Sequence, residues 1–170
     1  MVADCGGCSV RGSGYATVVA RRSTPALGRM YVLRIAHRIA AYAWAAPNTL
    51  LGLFAGLLFL AFGGQVRVVR GVLEFSGGWL CNRMSSEPTV LRFRAITFGH
   101  VILGVSAADL EVVRQHEHAH VAQYELWGPL FLPAYAASSV WQVLCGRRAY
   151  RDNFFERQAY AAQAERKAAA

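Results

Sequence analysis

A long stretch without charge constrains this chain more than any other feature. No Asp, Glu, Lys or Arg occurs between Arg38 and Arg67. Within it, Leu50–Phe62 is an uninterrupted apolar run, separated by Pro47-Asn48-Thr49 from a second one, Ile39–Ala46. The run after Pro47 is shorter than the ~20 residues that cross a bilayer, but the two runs joined, with a kink at Pro47, are long enough. Such a segment has to be covered by protein or by lipid.

The overall composition favours lipid. The chain is 55% hydrophobic and only 16% charged, with a mean hydropathy of +0.26, whereas soluble domains carry about 25% charged residues. Its net charge of +8 is concentrated in the flanks, 1–49 and 146–170, while 65–126 is balanced. We interpret the basic flanks as affinity for anionic lipid headgroups. Because no pattern of a nucleic-acid-binding module occurs, we expect no nucleic-acid partner.

The length of 170 residues fits one domain. We expect residues 1–29 to form a disordered tail and residues 30–170 to form a single membrane-associated domain. Cys5-Gly-Gly-Cys8 has the spacing of half a zinc knuckle, but a structural zinc site needs two more ligands and no second CxxC occurs. We therefore interpret these thiols as incidental.

Periodicity predicts the elements of the domain. Residues 31–42 have helical spacing with Arg34 and Arg38 four apart, which predicts an amphipathic helix at a membrane surface. After Gly64 the pattern changes to short β-branched segments separated by Gly. These predict a small antiparallel sheet of three or four strands, at 65–69, 72–75, 90–96 and 101–103.

Helices follow the sheet. Ser106 is a natural N-cap, with Asp109 three residues later, for a helix that should run to about Leu126 and end at Gly128-Pro129. An apolar, charge-free segment occupies 130–144, and Asn153 should cap a last helix over 154–167. The fold class predicted is α+β, with the small antiparallel sheet packed against the 106–126 helix and apolar membrane-associated helices.

Two candidate metal ligands and the candidate general base lie on the 106–126 helix. His116, Glu117 and His120 satisfy the pattern HExxH. Residues four apart lie on one helix face a turn apart, so both imidazoles can reach one metal ion, and zinc is the metal that this pattern typically binds. Glu117, beside them, is placed to act as general base toward a metal-activated water. His118 lies two residues from either histidine and points away, so we do not expect it to be a ligand.

A catalytic zinc normally has a third protein ligand. Glu125 and Asp109 lie on the same helix as the motif and cannot converge with it. Glu156 lies on a separate helix, 36 residues after His120, as the downstream glutamate does in gluzincins, and we favour it. His100, at the end of a predicted strand, can instead bind metal or donate to an oxyanion.

Two segments carry a resemblance to a known family. Residues 116–135 (HEHAHVAQYELWGPLFLPAY) and 150–156 (YRDNFFE) resemble a group of small, uncharacterised bacterial membrane-associated zincin-like proteins. Those proteins share an HExxHxxQ helix, a Gly-Pro apolar segment and an Asn-x-x-Glu element. The resemblance covers roughly residues 40–162 and implies a zincin-like site with Glu156 as third ligand. Gln123 matches the HExxHxxQ form and is expected to orient a ligand or to contact substrate.

The site imposes a condition on topology. If residues 130–144 crossed the bilayer, His120 and Glu156 would lie ~30 Å apart and could not share a metal. We therefore expect this segment to fold back along the HExxH helix, and 50–62 to be the main membrane element.

Three functions remain open on the sequence. The first is a membrane-associated zinc metallopeptidase acting on a peptide or protein, at the bacterial inner membrane with its site at the cytoplasmic face. In zincin-type peptidases a strand beside the active helix holds the substrate, and 101–103 is the predicted counterpart. The second is a non-catalytic zinc-binding structural membrane protein. The third is a lipid-binding scaffold without metal.

Overall fold

A computed structural model describes residues 25–79, 81 and 94–168 of the chain. It confirms the mixed α+β class. The helices and strands are, in chain order, α1 (Pro25–Ala61), β1 (Gln65–Val69), β2 (Val72–Ser76), β3 (Ala95–Phe98), β4 (Val101–Gly104), α2 (Ala107–Trp127), a 3-10 turn (Gly128–Leu130), α3 (Phe131–Leu144) and α4 (Phe154–Ala168).

Helix α1 is one continuous helix of 37 residues that contains Pro47. The two apolar runs on either side of Pro47 therefore belong to one helix. Proline removes one helical hydrogen bond, but contacts with the rest of the domain on both sides of Pro47 keep the helix in line: the Asn48 amide donates to the Gly128 carbonyl at 2.8 Å, and Ala45 is fully buried. Residues 30–61 are long and apolar enough to cross a membrane by length and composition.

The N-terminal prediction lies largely outside the described residues. Cys5, Cys8 and the rest of 1–24 belong to that part of the chain, whereas 25–29 are helical. The helix thus begins five residues before the start predicted for the folded domain.

The four strands form one sheet in the order β1-β2-β4-β3. The outer pairs are antiparallel, but β2 and β4 are parallel, with Leu73 opposite Val101. The prediction of an antiparallel sheet is therefore wrong at its centre. The connection between β2 and β3 is long enough for a crossover, which parallel pairing requires. Residues 90–93 of the predicted third strand lie outside the described residues.

The same strand order changes which strand can meet a substrate. Strand β4, which contains the predicted substrate strand 101–103, is hydrogen-bonded on both sides, to β2 and to β3. Its backbone cannot accept another strand. In the described sheet, β3 is the edge strand on the side of β4.

Helix α1 covers one face of the sheet. Phe75, Val101 and Leu103 form a buried cluster on this face, and α1 packs against it. Gly52 and Gly56 make the close approach possible, because a Cβ atom would lie 2.7 Å from Val101 Cβ at the first position and 2.6 Å from the Phe75 ring at the second.

Helix α2 covers the opposite face. Leu110 and Val121 of α2 pack on Val72 and Ile102. Its predicted ends are confirmed: the Ser106 hydroxyl accepts a hydrogen bond from the Asp109 backbone N–H at 3.0 Å. The helix ends at Gly128, whose φ of 53° suits glycine.

An ion pair is buried between the sheet and α2. Arg114 donates to both carboxylate oxygens of Glu74, from Nε at 2.9 Å and from Nη2 at 3.1 Å, and Glu74 is 2% exposed. His118 Nε2 lies 3.7 Å from the same carboxylate. Burial lowers the pKa of His118 despite this carboxylate. His118 thus faces the sheet.

Helices α3 and α4 fold back as the topological condition requires. The Asn153 amide joins them by donating to the Tyr135 carbonyl at 3.0 Å and to the Ser139 hydroxyl at 2.7 Å. Asn153 Oδ1 also accepts from the Phe155 backbone N–H at 2.9 Å, which makes it the predicted N-cap of α4. Phe155 and Ala159 are buried, and α4 packs chiefly on α2.

Candidate metal centre

Helix α2 supplies two imidazoles to one point. His116 and His120 are one turn apart on the side of α2 that faces α4, and their Nε2 atoms are 3.2 Å apart. Both residues are buried, with 5% and 8% exposure. Two nitrogens at this separation cannot both carry a proton toward each other, so at least one lone pair faces the site.

Helix α4 supplies a carboxylate to the same point. Glu156, in the first turn after the Asn153 cap, places Oε2 3.1 Å from His116 Nε2 and Oε1 3.3 Å from His120 Nε2. One ligand atom from each of the three residues lies within 4.8 Å of the others. The structure therefore brings His116, His120 and Glu156 together in a buried cluster that can hold a metal ion.

The three side chains do not satisfy one another fully, and a bound metal ion would complete their interactions. Burial by itself raises the pKa of Glu156, but contacts with His116 and His120 outweigh it and hold the pKa well below its ordinary value. The carboxylate is therefore anionic, yet the buried Glu156 Oε2 has no well-oriented hydrogen-bond donor. Two imidazoles and one carboxylate are a donor set that zinc accepts with a fourth position open.

Gln123 fixes the tautomer of His120. Its Oε1 lies 2.8 Å from His120 Nδ1, while its Nε2 donates to the Phe155 carbonyl at 3.0 Å and to Gln158 Oε1 at 3.1 Å. Since the amide NH₂ is used by these two acceptors, Oε1 accepts the Nδ1 proton of His120. The lone pair of neutral His120 is then on Nε2, toward Glu156 and His116. Gln123 thus orients the His120 ring.

This arrangement gives a prediction for Gln123→Leu. Loss of the Oε1 acceptor frees the His120 ring and its tautomer, and outer partners of this kind contribute roughly 10- to 100-fold to metal affinity. We expect zinc affinity, measured by competition with a chromophoric chelator, to fall by that factor. Gln158→Leu, which removes only a partner of the Gln123 NH₂, should change it far less. Equal affinities of Gln123→Leu and wild type would show that Gln123 does not orient the ligand.

Glu117 lies beside the cluster on the side of the sheet. Its Oε2 accepts a hydrogen bond from the Thr97 hydroxyl of β3 at 2.8 Å, and the residue is 6% exposed. Burial raises the pKa of Glu117, although His120, Thr97 and His116 act in the opposite direction. A buried carboxylate with a raised pKa is a stronger base than an exposed one, which suits a general base.

Thr97 and two tyrosines also surround the site, and sequence reasoning missed all three. Tyr135 of α3 donates to Glu156 Oε1 at 2.8 Å, and the Tyr160 ring of α4 lies 4.6 Å from the His116 ring. Burial and the Glu156 carboxylate raise the pKa of Tyr135, which keeps it a donor. One signal was available: a tyrosine within the charge-free segment 130–144 needs a polar partner once buried.

The other candidate ligands lie elsewhere. The His100 ring stacks on Tyr42 at 3.7 Å, and its Nε2 lies 3.0 Å from Glu125 Oε1. His100 therefore joins α1 to α2 rather than the metal cluster, and Glu125 is its partner. Asp109 accepts a hydrogen bond from the Ser106 hydroxyl at 2.7 Å at the start of α2.

The site as a whole is a buried cluster of two histidines and one glutamate, with a second buried glutamate on its sheet side. Each member comes from α2 or from the first turn of α4. Comparisons with protein-family models, with curated proteins and with solved structures found no match to this chain, so the function has to be inferred from these residues.

Proposed function

We propose that this protein is a membrane-associated zinc metallopeptidase of zincin-like type, with His116, His120 and Glu156 as zinc ligands and Glu117 as general base. The observation that carries the proposal is the convergence of these three ligand atoms from two helices, within 4.8 Å, beside a buried glutamate. The basic flanks and the apolar α1 support a place at the bacterial inner membrane, with the site at the cytoplasmic face.

The protein side chains divide the work of peptide hydrolysis. A zinc ion held by His116, His120 and Glu156 would supply Lewis-acid chemistry toward a carbonyl and a water molecule. Glu117 takes a proton from the attacking water and returns it to the leaving amine. Thr97 fixes the carboxylate of Glu117 by its 2.8 Å hydrogen bond, and Gln123 and Tyr135 fix two of the ligands. Burial of these groups strengthens each of their interactions.

One surface next to the site is suited to a peptide. Strand β3 is an edge of the described sheet, and Thr97, which contacts Glu117, belongs to it. The Thr97 carbonyl accepts the Tyr124 hydroxyl at 3.0 Å, and an extended substrate can pair with the other backbone groups of this edge.

The test is Glu117→Gln in the zinc-loaded full chain. The amide keeps the shape of the side chain but cannot accept the proton, so cleavage of a peptide library should fall by about 10²- to 10⁴-fold, with zinc content unchanged. Glu111→Gln is the matched control, because Glu111 is on the same helix with its side chain 64% exposed. Wild-type protein that holds one zinc and cleaves no peptide would refute the peptidase proposal.

A second function, a non-catalytic zinc-binding structural membrane protein, is favoured by one observation. His116 and Glu156 are only 5% and 2% exposed, and structural zinc sites are closed to solvent. In that case removal of the metal should unfold α4 from α2, and Glu117→Gln should leave every property of the protein unchanged. The Glu117→Gln assay therefore separates the two functions.

A further inference from the structure

The side of α1 that packs on the domain forms a narrow stripe. Its buried residues recur every three or four positions, at Ala41, Ala45, Asn48, Gly52 and Gly56. This spacing is that of one helix face. The stripe extends over 16 residues, or about 22 Å of helix, so the domain lies alongside most of the apolar part of α1 rather than at one end of it.

The opposite side of α1 is apolar and exposed. Ile39, Leu50, Phe54 and Leu57 lie on it with exposures of 61–68%. Arg34 and Arg38 lie on the other side, because each precedes a member of the buried stripe (Ala41 and Ala45) by seven residues, or two turns. One face of α1 is therefore continuously apolar. The opposite face is basic at Arg34 and Arg38 and is covered by the domain from Ala41 onward.

The β1–β2 hairpin runs beside the same length of α1. At one end the Gly64 backbone N–H donates to the Phe59 carbonyl at 2.8 Å, and at the other the Tyr42 hydroxyl donates to the Gly71 carbonyl at 2.8 Å. Arg67, which is exposed, lies midway between these two levels. If α1 crossed a bilayer, Arg67 and the edge of β1, which has no partner strand among the described residues, would lie within the hydrocarbon. Lipid-exposed sheet edges do not occur there, and an unpaired arginine is costly.

The hairpin also extends the apolar face. Val66 pairs with Phe75, and Phe75 packs on α1, so Val66 and Val68 project on the α1 side of the sheet. They are 43% and 72% exposed because β1 lies beyond the area that α1 covers. Helix α1 and strand β1 thus present apolar side chains on one side of the molecule.

The charge around this surface identifies what covers it. No Asp or Glu occurs between Pro25 and Glu74, whereas Arg29, Arg34, Arg38, Arg67 and Arg70 do. An apolar helix face opposite a basic one is the pattern of helices that lie in the headgroup region of anionic membranes.

We propose that α1 is a monotopic membrane anchor: it lies in the plane of an anionic lipid surface, with Leu50, Phe54, Leu57, Val66 and Val68 inserted, and does not cross the bilayer. The anchor is independent of the metal chemistry. Since α1 and α2 cover opposite faces of the sheet, Glu117 and Thr97 lie across the sheet from the lipid. A substrate of the proposed peptidase is therefore a segment outside the bilayer.

Sidedness labelling tests the orientation directly. In a full-length chain whose four native cysteines are replaced, single cysteines at Arg34→Cys and Gln65→Cys mark the two ends of the apolar helix. An impermeant maleimide should label both positions from the same side of the membrane. Both should therefore be labelled in only one of the two preparations, spheroplasts or inverted vesicles. Labelling of the two positions from opposite sides would show that α1 crosses and would overturn the proposal.

Vesicle flotation tests the surface. Purified full-length protein should float with phosphatidylglycerol-containing vesicles and less with pure phosphatidylcholine, and salt should weaken the binding. Phe54→Glu should reduce the partition coefficient by at least about tenfold, and Val68→Lys should reduce it as well. Val112→Lys, a matched change at a 57% exposed valine of α2, should have no effect.

Folding of each variant is checked by its unchanged thermal unfolding. A chain that ignores vesicles and forms dimers disrupted by Phe54→Glu would assign this face to a second copy and refute the lipid anchor.

Discussion

Purified protein will contain about one zinc ion per chain, and both His116→Ala and Glu156→Ala will lose it. Each substitution leaves two protein ligands of three. Structural zinc sites derive about 10–16 kcal/mol from four ligands, so one ligand contributes on the order of 3 kcal/mol, or more than 100-fold in affinity. Metal analysis after dialysis against a weak chelator measures the difference.

The third histidine of the segment 116–120 (HEHAH) provides the control for this experiment. His118 lies between the two ligands in sequence but faces Glu74 at 3.7 Å. His118→Ala should therefore keep its zinc. If His118→Ala loses the metal while Glu156→Ala retains it, the ligand set assigned here is wrong, and so is the fold-back of α3 that brings α4 to α2.

The second large effect is expected at the ion pair between the sheet and α2. Arg114→Met leaves the Glu74 carboxylate, 2% exposed, without its bidentate partner. Removing one member of a buried pair costs about 3–5 kcal/mol, and the partly exposed Arg114 places the expected loss near 3 kcal/mol. For a domain of this size that lowers the midpoint of thermal unfolding by roughly 6–12 °C.

A double substitution separates the pair from the packing around it. In Glu74→Leu with Arg114→Met both charges are absent and no carboxylate is left unpaired, and such replacements are often neutral. We expect the double variant to recover most of the unfolding temperature that Arg114→Met loses. If it is instead destabilised by the sum of the two single changes, the ion pair has no net coupling and the cost is one of packing.

The sequence was most informative where one local signal determined one element. Ser106 and Gly128 set the ends of α2, and the four-residue spacing of His116 and His120 placed both imidazoles on one face. The requirement that Glu156 reach them then predicted that 130–144 does not cross a bilayer. The first two inferences depend on local helix signals alone, whereas the choice of Glu156 came from the resemblance and from its position on a separate helix.

What the sequence did not determine is long-range pairing. A strand such as 101–103 has the same apolar pattern whether it lies at the centre or at the edge of a sheet. Its parallel pairing with β2 depends on the crossover connection between the two strands. The local chemistry of Pro47 predicts a kink or an interruption of the helix, but packing of Ala45 and Asn48 keeps the helix intact. The sequence alone left His100 as a possible metal ligand. Its contacts with Tyr42 and Glu125 show that it lies outside the cluster.

The attachment of α4 to α2 has a consequence for local unfolding. Glu156 is the ligand that belongs to α4, and the contacts of that helix are chiefly with α2, so α4 can separate from α2 without unfolding the sheet. Any such opening dismantles the ligand set, and bound metal opposes it by mass action. Metal at 100 times its dissociation constant stabilises the docked helix by about 2.7 kcal/mol, which slows amide hydrogen exchange through this opening by roughly 100-fold. If the cluster binds metal as proposed, the metal concentration in the compartment sets how often α4 separates from α2.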